Sequence, residues 1–184
     1  MALPPSNRVE LNLRNIGQLF NSMDPSPFRD KDLDQDADEF IVSWSGDFPV
    51  DSPIGLRVHL EEWPPYDPEP VVRDAIRNHF ESRANLARLE FKRLMRDGRT
   101  SLAIGVSFLA LCFLAIRFAT GRSSVWSAFL AEGLTIAGWV AMWRPMQIYL
   151  YDWWPIRRRM RHFARLAAME VEVTHAVAAT ERPA

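Results

Sequence analysis

Apolar and polar side chains alternate over residues 9–14, VELNLR, which sets Val9, Leu11 and Leu13 on one face of a half-buried strand. The same period of two returns over residues 55–61, GLRVHLE, with Leu56, Val58 and Leu60 on one side. Between these segments Leu33, Ala37, Phe40, Ile41 and Trp44 recur at helical spacing, with Asp30 or Asp32 as the expected N-cap. Strand, helix and strand in this order predict a small α+β, β-α-β-like domain over residues 1–68. A parallel pair with a right-handed crossover is the default, and an antiparallel pair stays open. Val72, Ile76, Phe80, Ala84, Ala87, Phe91 and Leu94 then follow helical spacing and predict a long amphipathic helix over residues 69–99, with Gly98 as a candidate hinge.

The pattern changes at residue 101. Residues 101–119 carry one charge, Arg117, and residues 125–143 carry one, Glu132. Nineteen helical residues cover ~29 Å at ~1.5 Å each, close to the thickness of a bilayer core. The expected fold is therefore a mostly α membrane protein, a two-helix transmembrane hairpin turning at residues 120–124. Pro145 is expected in the first turn of a new helix and Pro155 in that of another, with an aromatic interfacial segment bending over residues 144–155. A C-terminal amphipathic helix is predicted over residues 156–175, with Ile156, Met160, Phe163, Ala167 and Val173 along one side, and a disordered tail over residues 176–184.

Charge adds an orientation. Residues 1–68 hold 5 Lys and Arg against 13 Asp and Glu, whereas residues 69–99 hold 8 against 5, so the net charge of -1 hides an acidic start and basic flanks around the apolar runs. Lys92, Arg93, Arg96 and Arg99 precede the first run, and Arg144, Arg157, Arg158, Arg159 and Arg161 follow the second. Such flanks collect on the cytoplasmic side, which predicts a multi-pass membrane protein with both termini in the cytoplasm. The first residues, MALPPSN, lack the basic start and apolar core of a secretory signal, in keeping with that placement. Trp143, Tyr149, Tyr151, Trp153 and Trp154 have the amphipathic rings expected at a headgroup boundary, and with Arg157, Arg158 and Arg159 they are the expected interface anchors.

Chemistry-bearing candidates are few. Glu132 is costly in lipid and is expected to pair with Arg117 across the hairpin. The small residues Ala128, Ala131, Gly133, Thr135, Ala137 and Gly138 around it leave room for another helix. Residues 30–39, DKDLDQDADE, place acidic groups at alternate positions but lack the glycine and final glutamate of a calcium loop, so they read as an acidic helix start. Asp30, Asp32, Asp34, Asp36, Asp38 and Glu39 are the expected partner surface. His59, His79, His162 and His175 match no metal spacing, and Ser43, Ser45 and Gly46 form no hydrolase elbow. Cys112, the only cysteine, is expected as an apolar filler. No cofactor, metal, catalytic residue, small-molecule substrate or nucleic-acid partner is expected; lipid, and a protein partner or a second copy, are.

LFNSMDPSPFRDKDLDQDADEFI at residues 19–41 and WRPMQIYLYDWWPIRRR at residues 143–159 resemble a group of small bacterial inner-membrane proteins with the same order of acidic segment, membrane hairpin and RPxxxxLYDWWP-type exit. The resemblance implies a topology and no activity. Two functions are expected from all this: a non-catalytic inner-membrane anchor or scaffold presenting a cytoplasmic partner-binding domain, or an accessory or pore-forming subunit of a transporter with Glu132 in its path.

Overall fold

The computed structural model describes residues 7–21, 31–49, 52–119 and 125–176. The chain divides into two compact units, residues 1–85 with 160–184, and residues 86–159. The expected cap Asp30, the turn at residues 120–124 and the tail beyond residue 176 lie outside the described residues.

The first unit is a three-stranded, wholly parallel sheet in the order β1-β2-β3, made of β1 (Arg8–Leu13), β2 (Gly55–Leu60) and β3 (Glu170–His175). Its register pairs Val9 with Leu56 and Val171, and Leu11 with Val58 and Val173, so the apolar set of each strand falls on the same face. That face packs on α1 (Gln35–Gly46) and on the start of α2 (Pro68–Ala119) through Ile41, Val72, Ala75, Ile76 and Phe80. Leu166, near the end of α4 (Trp153–Ala167), and Met169 close the core from the other end of the chain.

Two expectations are corrected in this unit. Residues 156–175 are not one helix: α4 stops at Ala167, and Val173 lies on β3. In EVEVTH the branched valines alternate with polar groups, a strand pattern that pairs with the open side of β2. The N-cap of α1 is Asp34 rather than Asp30 or Asp32; its carboxylate accepts from the Asp36 N–H at 3.1 Å.

Helix α2 has 52 residues, about 78 Å of continuous helix. The helix runs unbroken through Gly98. A Cβ there would come within 2.9 Å of Ile148 Cγ2 and 3.3 Å of Tyr149, so the residue is small to admit these neighbours. Among the described residues α2 is the one helix long and apolar enough to cross a membrane, and only 11% of its most apolar window is buried. A soluble core helix of that hydropathy would be mostly buried; here Ile104, Leu111, Phe113 and Phe118 stay exposed.

The second unit also contains α3 (Val125–Gln147), with Phe129, Leu130, Ile136, Trp139 and Val140 exposed. It touches α2 where side chains are smallest. A Cβ on Gly138 would strike Leu109 at 2.6 Å, and buried Cys112 lies beside the same spot. Pro145 does not open a new helix but lies inside α3. Lacking an N–H, it deprives the Ala141 carbonyl, four residues earlier, of its usual donor. That carbonyl lies 3.0 Å from where a Gly105 Cβ would stand, so glycine lets the α2 backbone approach it. Residues 148–152 follow as a π-helical turn and lead directly into α4, so the exit segment is helical throughout.

Phe80, fully buried, and Phe113, more than half exposed, give opposite expectations for the same truncation. Phe80→Ala should destabilise the first unit by about 3 to 5 kcal/mol, whereas Phe113→Ala should change its stability by less than about 0.5 kcal/mol. Urea unfolding in mild detergent measures both; equal effects would contradict this assignment of buried and exposed faces.

Candidate functional site

Because the sheet is parallel and in register, its second face collects the polar alternates: Arg8, Glu10 and Asn12 from β1, Arg57 and His59 from β2, Glu170, Glu172 and Thr174 from β3. All-parallel sheets are ordinarily covered by helices on both faces, yet here Glu10 and Asn12 are exposed and Arg57, His59 and Thr174 are only partly covered. Arg57, on the middle strand, organises this face. Its Nε and terminal nitrogen donate to Glu172 Oε2 at 3.1 and 2.8 Å, and its other nitrogen lies 3.8 Å from Glu10. Arg8 adds a 3.6 Å approach to the same Glu172 oxygen. The hydrogen bonds from Arg57 hold the Glu172 pKa below the ordinary carboxylate range, reinforced by the charges of Arg57 and Arg8.

Toward the carboxyl ends of the strands, where open α/β sheets place their ligand crevices, this face hollows into a cavity of about 420 Å³ lined by Asn12, Arg57, His59, Thr174, His175 and Ala176. His59 Nδ1 and Thr174 Oγ1 are 2.9 Å apart. His175 Nδ1 can only donate to the Ala176 carbonyl, at 3.1 Å, which assigns the Nδ1–H tautomer to the neutral ring and leaves Nε2 as an acceptor. Trp63 stacks on this ring with centroids 5.9 Å apart. The lining thus offers hydrogen-bonding groups of both kinds beside an exposed aromatic, the makings of a recognition surface.

A second polar cluster joins α1 to α2 inside the same unit. Asp38 accepts from His79 Nε2 at 3.2 Å and from Arg83, while His79 Nδ1 lies 3.3 Å from Asp32. Arg83 in turn covers the Phe163 ring at 4.7 Å. Partial burial alone would raise the Asp38 pKa, but the hydrogen bonds from His79 and Arg83, with the charge of Arg83, outweigh it and leave the pKa below its ordinary value of 3.8. The acidic segment is therefore divided: Asp34 caps a helix, Asp32 and Asp38 grip His79, Glu39 accepts from Gln35 at 2.9 Å, and Asp36 is exposed.

Ser45, fully buried, and His162 are 3.2 Å apart, a spacing open to a nucleophile and its base. The Ser45 hydroxyl, however, donates its single proton to the Val42 carbonyl at 3.0 Å. Its oxygen then accepts from His162 Nε2–H, the reverse of what nucleophile activation requires. This pair ties α1 to α4. Among the described residues no group of three or more His, Cys, Asp or Glu is placed to hold a metal.

Glu132 is exposed on α3 and Arg117 lies in the last turn of α2; no ion pair between them is present among the described residues, and Arg117 makes contacts of its own. Arg144 pairs with Asp152 at 3.4 Å, Arg159 approaches Glu90 at 3.5 Å, and Arg157 lies over the Trp153 ring at 5.7 Å. Trp153 donates its indole N–H to the Tyr149 carbonyl at 2.8 Å, and Trp143, Tyr151 and Trp154 are broadly exposed. No family model, curated protein or solved structure matches the chain.

With a folded pKa below its unfolded one, Asp38 contributes stability that is full above about pH 5 and lost as pH falls through the folded value. Asp38→Asn should cost about 1 to 3 kcal/mol at neutral pH and flatten the loss of stability as pH falls below about 4. Unfolding curves across that range check this; an unchanged acid limb in the variant would contradict it.

Proposed function

We propose that the chain is a non-catalytic membrane anchor, embedded through α2 and α3 as a two-helix hairpin with both termini in the cytoplasm, presenting a small parallel-sheet domain to a protein partner. One observation carries the reading: the apolar surface of α2 over residues 101–118 is left uncovered in a helix whose first turns are core to the folded domain. Burying such a surface in lipid removes its cost in water, at about 25 cal/mol for each square ångström. Contacts at Gly105 and Gly138 support α3 as the second member of the hairpin. The cationic flanks favour the cytoplasmic side for the sheet domain. Within that domain the open sheet face is the preferred docking surface over the acidic segment, because Asp32, Asp34 and Asp38 already serve internal bonds.

A second reading, a transporter subunit, draws on Glu132, exposed on α3 and the one charged residue of its stretch 125–143. In that case Glu132→Gln abolishes flux while insertion and assembly persist; unchanged flux removes the reading.

Two measurements test the anchor. Membranes washed in alkaline carbonate should retain the protein and detergent should release it; recovery in the wash would contradict embedding. A protein captured stoichiometrically from native membranes in mild detergent should be lost with Asn12→Arg in a domain that still folds. Recovery of the chain alone at native abundance would contradict a docking role.

A further inference from the structure

The contacts between α2 and α3 fix a level for every residue of the second unit. Gly98 meets Ile148 and Tyr149, Gly105 meets Ala141 and Met142, and Gly138 meets Leu109 and Cys112. Numbers rise along one helix as they fall along the other, so the two are antiparallel and residues 92–99 lie level with the segment around the π-helical turn. At ~1.5 Å per residue, residues 92–99 cover about 10 Å, on the order of one headgroup region, and the basic residues to either side extend it.

The band and the segments that adjoin it are strongly cationic. Residues 88–99 and 143–159 carry nine Lys and Arg side chains against the three carboxylates of Glu90, Asp97 and Asp152. Glu90 and Asp152 are engaged by Arg159 and Arg144. Arg88, Lys92, Arg93, Arg96, Arg99 and Arg158 are exposed and pair with no carboxylate among the described residues. Tyr149, Tyr151 and Trp154 expose their rings within the same band, and the uncovered apolar surfaces of α2 and α3 begin next to it. Unpaired cations, amphipathic rings and bare apolar surface in sequence match the layers of a leaflet: phosphate, glycerol backbone, acyl chain.

We propose that this collar binds the phosphates of anionic phospholipids, so that the protein gathers anionic lipid around itself instead of residing indifferently in the bilayer. The proposal rests on the membrane reading given above. Surplus unneutralised charge, rather than ion pairing, is the recognising element, and each added cation near an anionic surface strengthens attraction roughly fivefold. Nucleic acid would use the same cations but would leave the rings and the adjoining apolar surface without a role.

The test uses the full chain reconstituted in phosphatidylcholine vesicles containing phosphatidylglycerol, with one lipid or the other brominated on its acyl chains to quench tryptophan. Brominated phosphatidylglycerol should quench beyond its mole fraction, giving a binding preference of severalfold over phosphatidylcholine that shrinks with added salt. The triple variant Arg93→Gln, Arg96→Gln, Arg158→Gln should reduce the preference to near unity while quenching by both lipids persists. Equal quenching by the two lipids in the unaltered protein would overturn the proposal, as would a preference undiminished in the triple variant, or one abolished by an RNA oligonucleotide that the collar binds instead. No quenching by either lipid would instead refute the membrane reading itself.

Discussion

The structure depends on what happens to the apolar side of α2. Over its first turns that side is consumed by a protein core, where Val72, Ala75, Ile76 and Phe80 are almost without contact with solvent. Beyond residue 100 the apolar character increases while cover falls away. Water does not tolerate a continuous surface of Ile104, Leu111, Phe113 and Phe118 without compensation. Backbone groups there are satisfied within the helix, so hydrocarbon is a medium in which the segment is stable as it stands.

The same constraint accounts for the small residues. Gly98, Gly105 and Gly138 each stand where a methyl group would collide with a facing side chain or carbonyl. Close approach gives the two helices the dispersion contacts that the proposed hairpin would need in lipid, where no hydrophobic force drives helices together. Pro145 and Gly105 belong to one arrangement, since the carbonyl that the proline leaves without its usual donor is the one that the glycine approaches. In the sheet-containing unit, by contrast, stability comes from in-register apolar strands and from two charged clamps, Arg57 on the sheet and Asp38 between helices.

The strands β1 and β2 were legible because Val9, Leu11 and Leu13 alternate as cleanly as Leu56, Val58 and Leu60. Helix α1 was legible from Leu33 to Trp44, although its cap was not: five aspartates alternate over residues 30–38, and the extended torsions of Asp34 with its bond from the Asp36 N–H mark it as the cap. The third strand was missed because Ile156, Met160, Phe163 and Ala167 begin a helical stripe that Val173 happens to extend. The alternation in EVEVTH was the competing signal, and pairing with β2 decides it. Propensity alone marks Gly98 as a weak point of α2, and the close neighbours Ile148 and Tyr149 give the glycine a packing reason that the sequence does not show. Neither the Arg57 network nor the His79 clamp could be seen, since their hydrogen-bonded pairs are 41 to 115 residues apart and meet only through the topology.

The claim that the uncovered surface of α2 faces hydrocarbon is tested most directly by a spin label. A nitroxide at Phe113→Cys, in a Cys112→Ala background and reconstituted in vesicles, should collide readily with oxygen and scarcely with a water-soluble nickel chelate, as lipid-facing sites do. Strong collision with the chelate, or an immobilised label inaccessible to both reagents, would mean that water or protein covers this face, and would contradict the account.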